Sequence, residues 1–122
     1  MAVLNLKNKK LPQIGIGTYL MSDDQAEIAV GKAFQIGYRH VDTAEGYKNE
    51  EGVGRAIARA FSDSGLKRED IFVTTKLWPG NPRWGTDTKD YQSTMAAFDS
   101  SLQKLGLEYI DLYLIHAPFA IN

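Results

Sequence analysis

Short segments rich in β-branched and aromatic residues alternate along this chain with longer segments in which apolar residues recur every three or four positions. The predicted strands cover residues 13–18, 38–42, 71–76 and 109–116, and three predicted helices lie between them. A strand therefore returns about every 30 residues, which is the spacing of βαβ units with parallel strands. The last strand is apolar enough to be predicted buried on both faces, like a central parallel strand. The alternation restricts the chain to an α/β fold.

The length of the chain limits how much of such a fold it contains. An eight-stranded β/α barrel takes about 250 residues, whereas this chain has 122. Residues 13–122 are therefore predicted to supply strands 1 to 4 and helices 1 to 3 of a barrel. Residues 1–12 are predicted to form an N-terminal β-hairpin with its turn at residues 7–9. We thus expect one domain over 1–122, the half of a (β/α)8 TIM barrel.

Capping residues mark where the predicted helices begin and end. Ser22 and Asp23 are suited to cap the first helix, and Asn49 to cap the second through its side chain. Glycine is the usual residue for a left-handed turn at a helix end. The three predicted stop residues are Gly37, Gly65 and Gly106.

Composition excludes several classes of function. Fourteen basic residues against fifteen acidic ones give a net charge of -1, so there is no global basic field for nucleic acid or anionic lipid. The chain has no cysteine, and its two histidines have no neighbours at ligand spacing, so no metal site is predicted. A polar N-terminus and short apolar runs predict neither a signal peptide nor a membrane span. We expect a cytoplasmic protein.

Ionisable residues end three successive predicted strands. Asp42, Lys76 and His116 each come at the carboxyl end of a strand, where parallel α/β folds bind ligands and carry out catalysis. Alternation along each strand places them on the faces shared with Tyr38, Phe72 and Leu112, respectively. A single charge at a strand end often only faces solvent at a loop junction, but three in succession favour a functional site.

The residue types in this cluster suit proton transfer. Tyr47 follows Asp42 by five positions, in the turn before the second helix. A phenol titrates near 10, and a neighbouring ammonium makes it more acidic because the phenolate is stabilised. Asp42 is then a charged partner for Lys76, and His116 can donate to an incoming carbonyl oxygen or to the phenol. The combination predicts protonation of an alkoxide, without identifying a hydride source.

Four stretches of the chain resemble the aldo-keto reductase superfamily. They are IGIGT at 14–18, GYRHVDTAEGYKNEEGVGRAI at 37–57, EDIFVTTKLW at 69–78 and LGLEYIDLYLIHAP at 105–118. The resemblance implies a β/α barrel that reduces aldehydes or ketones by hydride transfer from NADPH. It also implies a role for each of the four residues of the predicted cluster. Tyr47 is the implied general acid, Lys76 the residue that makes it acidic, Asp42 the partner of Lys76, and His116 the residue that orients the carbonyl.

The same resemblance extends to binding residues. Tyr19 and Trp78 fall where the family lines its substrate pocket with aromatic residues, although Trp78 could equally be a loop-packing residue. Among the 122 residues of this chain, Thr18 and Asp42 are the implied cofactor contacts. The main cofactor site is expected in the other half of the barrel, after strands 7 and 8. Ala117 stands where many family members carry Trp, which implies a different pocket.

A half-barrel leaves apolar surface uncovered. Its two outer strands are open edges, and the inner face, including Phe72, Leu112 and Leu114, has no cover. We therefore expect either a truncated piece of a longer reductase that pairs with the other barrel half, or a half-barrel that self-associates. The isolated chain is expected to have little activity. A non-catalytic scaffold or binding protein built on the same fold is the alternative.

The remaining polar residues are predicted to be structural. His40 is expected to be a hydrogen-bonded core histidine. The Gly15 and Gly17 pair lacks the third glycine of a dinucleotide-binding fingerprint, because Leu20 occupies that position. Two groups of charged residues are predicted to have no catalytic role: one forms a solvated hairpin tip, and the other consists of acidic residues near the N-terminus of the second helix, where the helix dipole favours them. They are Lys7, Lys9 and Lys10 at the tip, and Glu45, Glu50 and Glu51 near the helix.

Overall fold

The computed structural model describes residues 2–118. In this range the strands are β1 (Val3–Leu6), β2 (Lys9–Pro12), β3 (Ile16–Gly17), β4 (His40–Asp42), β5 (Phe72–Leu77) and β6 (Leu112–Ile115). The helices are α1 (Asp23–Gln35), α2 (Glu50–Ser64) and α3 (Tyr91–Leu105). Single 3-10 turns occupy Glu45–Tyr47, Arg68–Asp70 and Pro82–Trp84. The predicted alternation of strands and helices is present, although most strands are shorter than predicted.

The four strands β3 to β6 form one parallel sheet in the order β3-β4-β5-β6. Asp42 is in register with Thr74, and Lys76 with Leu114. Residues in register point to the same face of a sheet, so the polar strand ends lie side by side on the inner face. This sheet, with its helices on the outer face, confirms the α/β partial barrel.

Local sequence signals account for the element ends. The predicted hairpin is present, with Leu6 opposite Lys9 across the turn. Ser22 caps α1 and forms a reciprocal capping box with Gln25. Gly65 and Gly106 end α2 and α3 in the left-handed conformation that glycine adopts without strain.

The hydrophobic core lies between the outer face of the sheet and helices α1 and α2. Val41 and Val73 of the sheet are fully buried there, against Val30 of α1 and Val53 and Ile57 of α2. Glycine permits the closest helix contact, because a Cβ at Gly52 would overlap the backbone of Asp23. The core therefore fixes β4 and β5, the two strands that carry Asp42 and Lys76.

Two predictions about burial were wrong. The last strand is not buried on both faces, since Leu114 is 38% exposed and Ile115 is 71% exposed. It is an edge strand that pairs with β5 alone within the described residues. Phe72, predicted to be uncovered, is only 3% exposed. It lies in register with His40 and packs edge-on against that ring, with 5.1 Å between centroids.

The amino end of the sheet is closed by a charged cluster. The Asp111 side chain is 4% exposed and forms ion pairs with Lys9 of the hairpin and with Arg68. It also accepts the Val73 backbone N–H at 2.8 Å. Both cations lie over the ring of Tyr109, at 4.4 Å for Lys9 and 3.9 Å for Arg68. The prediction that Lys9 is only a solvated tip residue was therefore wrong.

Candidate active site at the carboxyl end of the sheet

The four residues predicted to act together converge at one end of the inner face. Asp42 ends β4, Lys76 is the penultimate residue of β5, and His116 directly follows β6. Tyr47 ends the 3-10 turn that follows β4. Because the three strands are parallel and in register, their ends bring residues from distant parts of the chain together.

Lys76 is at the centre of this group. Its Nζ donates to Asp42 Oδ2 at 2.8 Å and to the Thr43 carbonyl oxygen at 2.8 Å, and it lies 3.3 Å from Tyr47 Oη. An ammonium group has three donors, and these three oxygens use all of them. The Lys76 side chain is 12% exposed, and that of Asp42 is 38% exposed. The charge of Lys76 is therefore fixed against the phenol rather than dispersed in solvent.

His116 lies beside this group with one ring nitrogen unpaired. Its Nδ1 is buried and has no hydrogen-bond partner within residues 2–118, while its backbone N–H donates to the Leu77 carbonyl oxygen at 2.9 Å. Its ring stands edge-on to Tyr47, with 5.5 Å between centroids. Burial and then the nearby Lys76 charge hold the pKa of His116 below its ordinary value, against the opposing effects of Asp42 and Glu45. The ring is therefore neutral at pH 7, with one nitrogen that donates and one that accepts.

Aromatic side chains border the group. Tyr19 is 66% exposed, and its ring lies 5.1 Å from that of Tyr47. Trp78 is half-buried and stands edge-on to His116 at 5.8 Å. Trp84 was not predicted to belong to the site, but it stacks on Trp78 with an interplanar angle of 16°. Its position was not readable from the sequence because the loop from residue 78 to residue 90 has no regular period.

Thr18 lies apart from the open side of the site. Its side chain is fully buried, and its hydroxyl lies 2.9 Å from Thr43 Oγ1 and 3.2 Å from Asn49 Oδ1. Asn49 Nδ2 donates to the carbonyl oxygens of Thr18 at 2.7 Å and Met21 at 3.0 Å. Asn49 is at the N-cap of α2, as predicted, but its side chain makes no cap hydrogen bond. It instead fastens the loop after β3 to the loop after β4.

The acidic residues near α2 are not simple surface charges. Glu50 is 2% exposed and accepts from Thr75 Oγ1 at 2.6 Å and from Ser101 Oγ at 3.2 Å. Glu45 accepts the Trp78 backbone N–H at 3.0 Å. Glu50 is in the first turn of α2, as predicted for a helix N-terminal charge, and both residues also hold neighbouring elements. A burial pattern cannot be predicted for a single Glu from local sequence.

His40 lies outside the site. Its Nδ1 is 3.3 Å from the Pro12 carbonyl oxygen and its Nε2 is 3.0 Å from Thr74 Oγ1. These contacts link the sheet to the hairpin, as expected for a hydrogen-bonded core histidine. Across residues 2–118, the structure has no cluster of acidic and histidine side chains able to hold a metal ion. No helix in that part of the chain is both long enough and apolar enough to cross a bilayer.

Comparison with known proteins gives a consistent result. The profile of the Aldo/keto reductase family matches residues 13–122. An aldo-keto reductase of Mycolicibacterium smegmatis is 48% identical over 112 residues, which cover 92% of this chain and 37% of that protein. Glycerol 2-dehydrogenase (NADP(+)) of Saccharomyces cerevisiae is 47% identical over 113 residues, covering 93% of this chain and 32% of the yeast protein.

A solved structure shares the fold. The Bombyx mori aldo-keto reductase, crystallised in complex with NADP, superimposes with a TM-score of 0.84 at 39% sequence identity. The match covers 99% of this chain and 39% of the silkworm protein. The chain thus spans between about one third and two fifths of the length of these relatives.

Proposed function

Because the chain belongs to the aldo/keto reductase family, we propose that it carries the proton-donating part of an enzyme that reduces aldehydes or ketones to alcohols with NADPH. One observation carries this proposal. Lys76 Nζ lies within 3.3 Å of both the Asp42 carboxylate and the Tyr47 hydroxyl. A fixed ammonium between a carboxylate and a phenol is the arrangement that proton donation to an alkoxide needs.

Tyr47 is the proposed general acid. NADPH, when bound, supplies the hydride that forms the new C–H bond and leaves as NADP+. The carbonyl π electrons move onto oxygen, which takes the proton from Tyr47 Oη and becomes the alcohol hydroxyl. Lys76, held at 3.3 Å, stabilises the phenolate that remains until solvent returns a proton. Asp42 keeps the ammonium in place through its 2.8 Å contact.

His116 is proposed to orient the carbonyl. Its lowered pKa leaves the imidazole neutral at pH 7, so it donates one hydrogen bond without competing with Tyr47 as a proton source. The unpaired buried Nδ1 shows that the ring retains hydrogen-bonding capacity within residues 2–118. Because Nδ1 is itself buried beside Gly46, the carbonyl oxygen is proposed to bind the other ring nitrogen.

The inner face has room for a cofactor ring beside these groups. A Cβ built at Gly17, which is in register with Asp42, would meet no atom within 4 Å. This open face, next to the partly exposed Asp42, would admit the nicotinamide part of the cofactor. Thr18 is proposed to support the site rather than contact the cofactor, since its hydroxyl lies in the Asn49 network and its backbone N–H and carbonyl oxygen are paired with Asp42 and Asn49.

The aromatic border favours a substrate with apolar parts. Tyr19 presents an exposed ring next to Tyr47, and Trp78 flanks His116. Aromatic side chains around a few polar groups are typical of small-molecule sites. We propose that these two residues contact the carbon skeleton of the aldehyde or ketone while Tyr47 and His116 bind its oxygen.

The open side of the sheet is proposed to be covered by further β/α units of a complete barrel, in the same or a second polypeptide. Leu112 is 36% exposed and Leu114 is 38% exposed on that side. At about 25 cal/mol per Å² of apolar surface, covering such residues contributes on the order of several kcal/mol. Light scattering of the 122-residue chain is expected to show association at micromolar concentration. A stable monomer would contradict this part of the proposal.

Turnover tests the enzymatic proposal. NADPH oxidation with a simple aldehyde is expected to be slow in the 122-residue chain, because barrels of this type bind the cofactor phosphates after strands 7 and 8. The slow turnover is expected to disappear in Tyr47→Phe. Turnover that persists in this variant would exclude Tyr47 as the acid. Binding of NADPH, seen by fluorescence, without any turnover would instead favour the scaffold alternative.

A further inference from the structure

A charged pair joins the turn that carries Tyr47 to the loop that carries the tryptophans. Glu45 begins this turn, and Lys89 lies near the end of the loop between β5 and α3. Lys89 Nζ donates to Glu45 Oε1 at 3.1 Å. The two side chains are only 22% and 20% exposed, respectively. A pair so withdrawn from water is less screened than a surface ion pair.

The Glu45–Lys89 pair forms hydrogen bonds with both polar backbone groups of Trp78. The Trp78 N–H donates to Glu45 Oε1 at 3.0 Å, and the Trp78 carbonyl oxygen accepts from Lys89 Nζ at 2.7 Å. The three groups form a closed ring of charge-assisted hydrogen bonds, which are stronger than neutral ones. The backbone of Trp78 is therefore fixed relative to the turn that ends in Tyr47.

The rest of the loop has its own internal contacts. Asn81 and Thr86 form an isolated bridge, and Trp78 Nε1 donates to Thr86 Oγ1 at 3.1 Å. Gly80 is packed so closely that a Cβ there would overlap the backbone of Asp87. Loss of the Lys89 contacts should therefore release the loop as a unit from Glu45 rather than unfold it.

We infer that Glu45 and Lys89 are positioning residues that hold the Trp78 ring at the edge of the substrate pocket, at a set distance from His116 and Tyr47. The inference rests on the proposed function and deepens it. Neither residue has a described contact with Tyr47 Oη or with Lys76. Glu45 also influences His116 through its charge, but the contacts of the pair reach the substrate pocket through Trp78. They determine how tightly the carbon skeleton of an apolar carbonyl substrate binds, and leave the proton transfer itself nearly unchanged.

Tryptophan fluorescence tests the positioning directly, without turnover. The chain has two tryptophans, so Trp84→Phe leaves Trp78 as the only source of tryptophan fluorescence. In that background, Lys89→Met should raise the acrylamide quenching constant of Trp78 by about twofold, because local release exposes the ring. Lys89→Arg should restore most of the protection. Lys32→Met, on the exposed side of α1, is the matched control for loss of a charge. Circular dichroism checks that each variant is folded.

Kinetics tests the consequence for the substrate. Lys89→Met is expected to raise KM for an aromatic aldehyde about tenfold, equivalent to about 1.4 kcal/mol, with less than about a twofold change in kcat. Unchanged quenching of Trp78 in folded Lys89→Met would overturn the positioning role whatever the turnover. A fall in kcat with KM unchanged would overturn the assignment to substrate binding. Absence of turnover in every protein, the parent included, would refute the proposed function, whereas the quenching result would still decide the positioning.

Discussion

Residues 2–118 contain two lysine–aspartate ion pairs, one at each end of the same sheet. At the carboxyl end, Lys76 is 12% exposed and Asp42 is 38% exposed. At the amino end, Lys9 is 42% exposed and Asp111 is 4% exposed. The residue types are the same, but the carboxyl end buries the cation whereas the amino end buries the anion.

The surroundings of the two pairs explain what each can do. Asp111 receives donors from Lys9, Arg68 and the Val73 backbone, so its charge is satisfied within the protein. At the carboxyl end, Lys76 reaches Tyr47, and His116 Nδ1 has no partner within residues 2–118. Arg68 Nε at the amino end is likewise buried without a partner in that range, so unpaired atoms do not distinguish the two ends. The difference is the phenol: the Tyr47 hydroxyl lies 3.3 Å from Lys76 Nζ, and a phenol held against an ammonium is suited to proton transfer.

The largest effect expected at the carboxyl end is on turnover. Tyr47→Phe should lower the rate of carbonyl reduction by about 100-fold to 10,000-fold, the usual contribution of a general acid. Tyr113→Phe likewise removes a tyrosine hydroxyl, here on β6, that is buried and has no hydrogen-bond partner within residues 2–118. Burial and then the charges of Glu45 and Glu50 raise the pKa of Tyr113 to about 12. This control should leave turnover unchanged, as followed by NADPH absorbance, and an equal loss in both variants would remove the special role of Tyr47.

The largest effect expected at the amino end is on stability. Asp111→Asn should lower the free energy of unfolding by roughly 3 kcal/mol, because the Asp111 carboxylate is only 4% exposed, pairs with both Lys9 and Arg68, and accepts the Val73 N–H. Asp42→Asn should cost about 1 kcal/mol, since Asp42 is partly solvated. Urea denaturation measures both variants. Equal losses, or the reverse order, would contradict the division between a structural and a chemical end.

Gly15 and Gly17, both in the segment of the first barrel strand, differ in how closely they are packed. A Cβ at Gly15 would lie 2.9 Å from both the ring and the carbonyl oxygen of His40, whereas a Cβ at Gly17 would meet nothing within 4 Å. Gly15→Ala should therefore destabilise the protein by roughly 1–3 kcal/mol. Gly17→Ala should change stability by no more than about 0.5 kcal/mol. Thermal unfolding of the two variants decides, and a large loss for Gly17→Ala would show that the carboxyl end is not open.

The smallest expected effect is the pH dependence of stability from His116. Its pKa is lower in the folded protein than in the unfolded chain, so the unfolded state binds more protons. Stability from this residue is therefore complete above the unfolded pKa and decreases as the pH falls through that value toward the folded pKa. Denaturation at pH 7 and pH 5 should show a smaller loss in His116→Gln than in the parent chain. An equal loss would mean that His116 is not desolvated.

The sequence was sufficient to predict the parallel order of the sheet and the convergence of its polar ends. Periodicity identifies the elements, and parity along a strand determines which residues share a face, as for Lys76 and Leu114. It was not sufficient for contacts between distant segments. The Asn49 network and the burial of Glu50 depend on loops and helices that pack only in the folded chain. The stacking of Trp84 on Trp78 likewise depends on how the loop between β5 and α3 folds.

Titration of the His116 ring by NMR tests most directly whether the four groups share one site. The Lys76 charge lowers the pKa of His116 and the Asp42 charge raises it. Lys76→Met should therefore shift the His116 titration to higher pH, and Asp42→Asn should shift it to lower pH, with His116→Gln used to assign the signal. Opposite shifts would support a single site in which Lys76 and Asp42 lie near His116. A His116 pKa that is the same in the parent chain and both variants would contradict it.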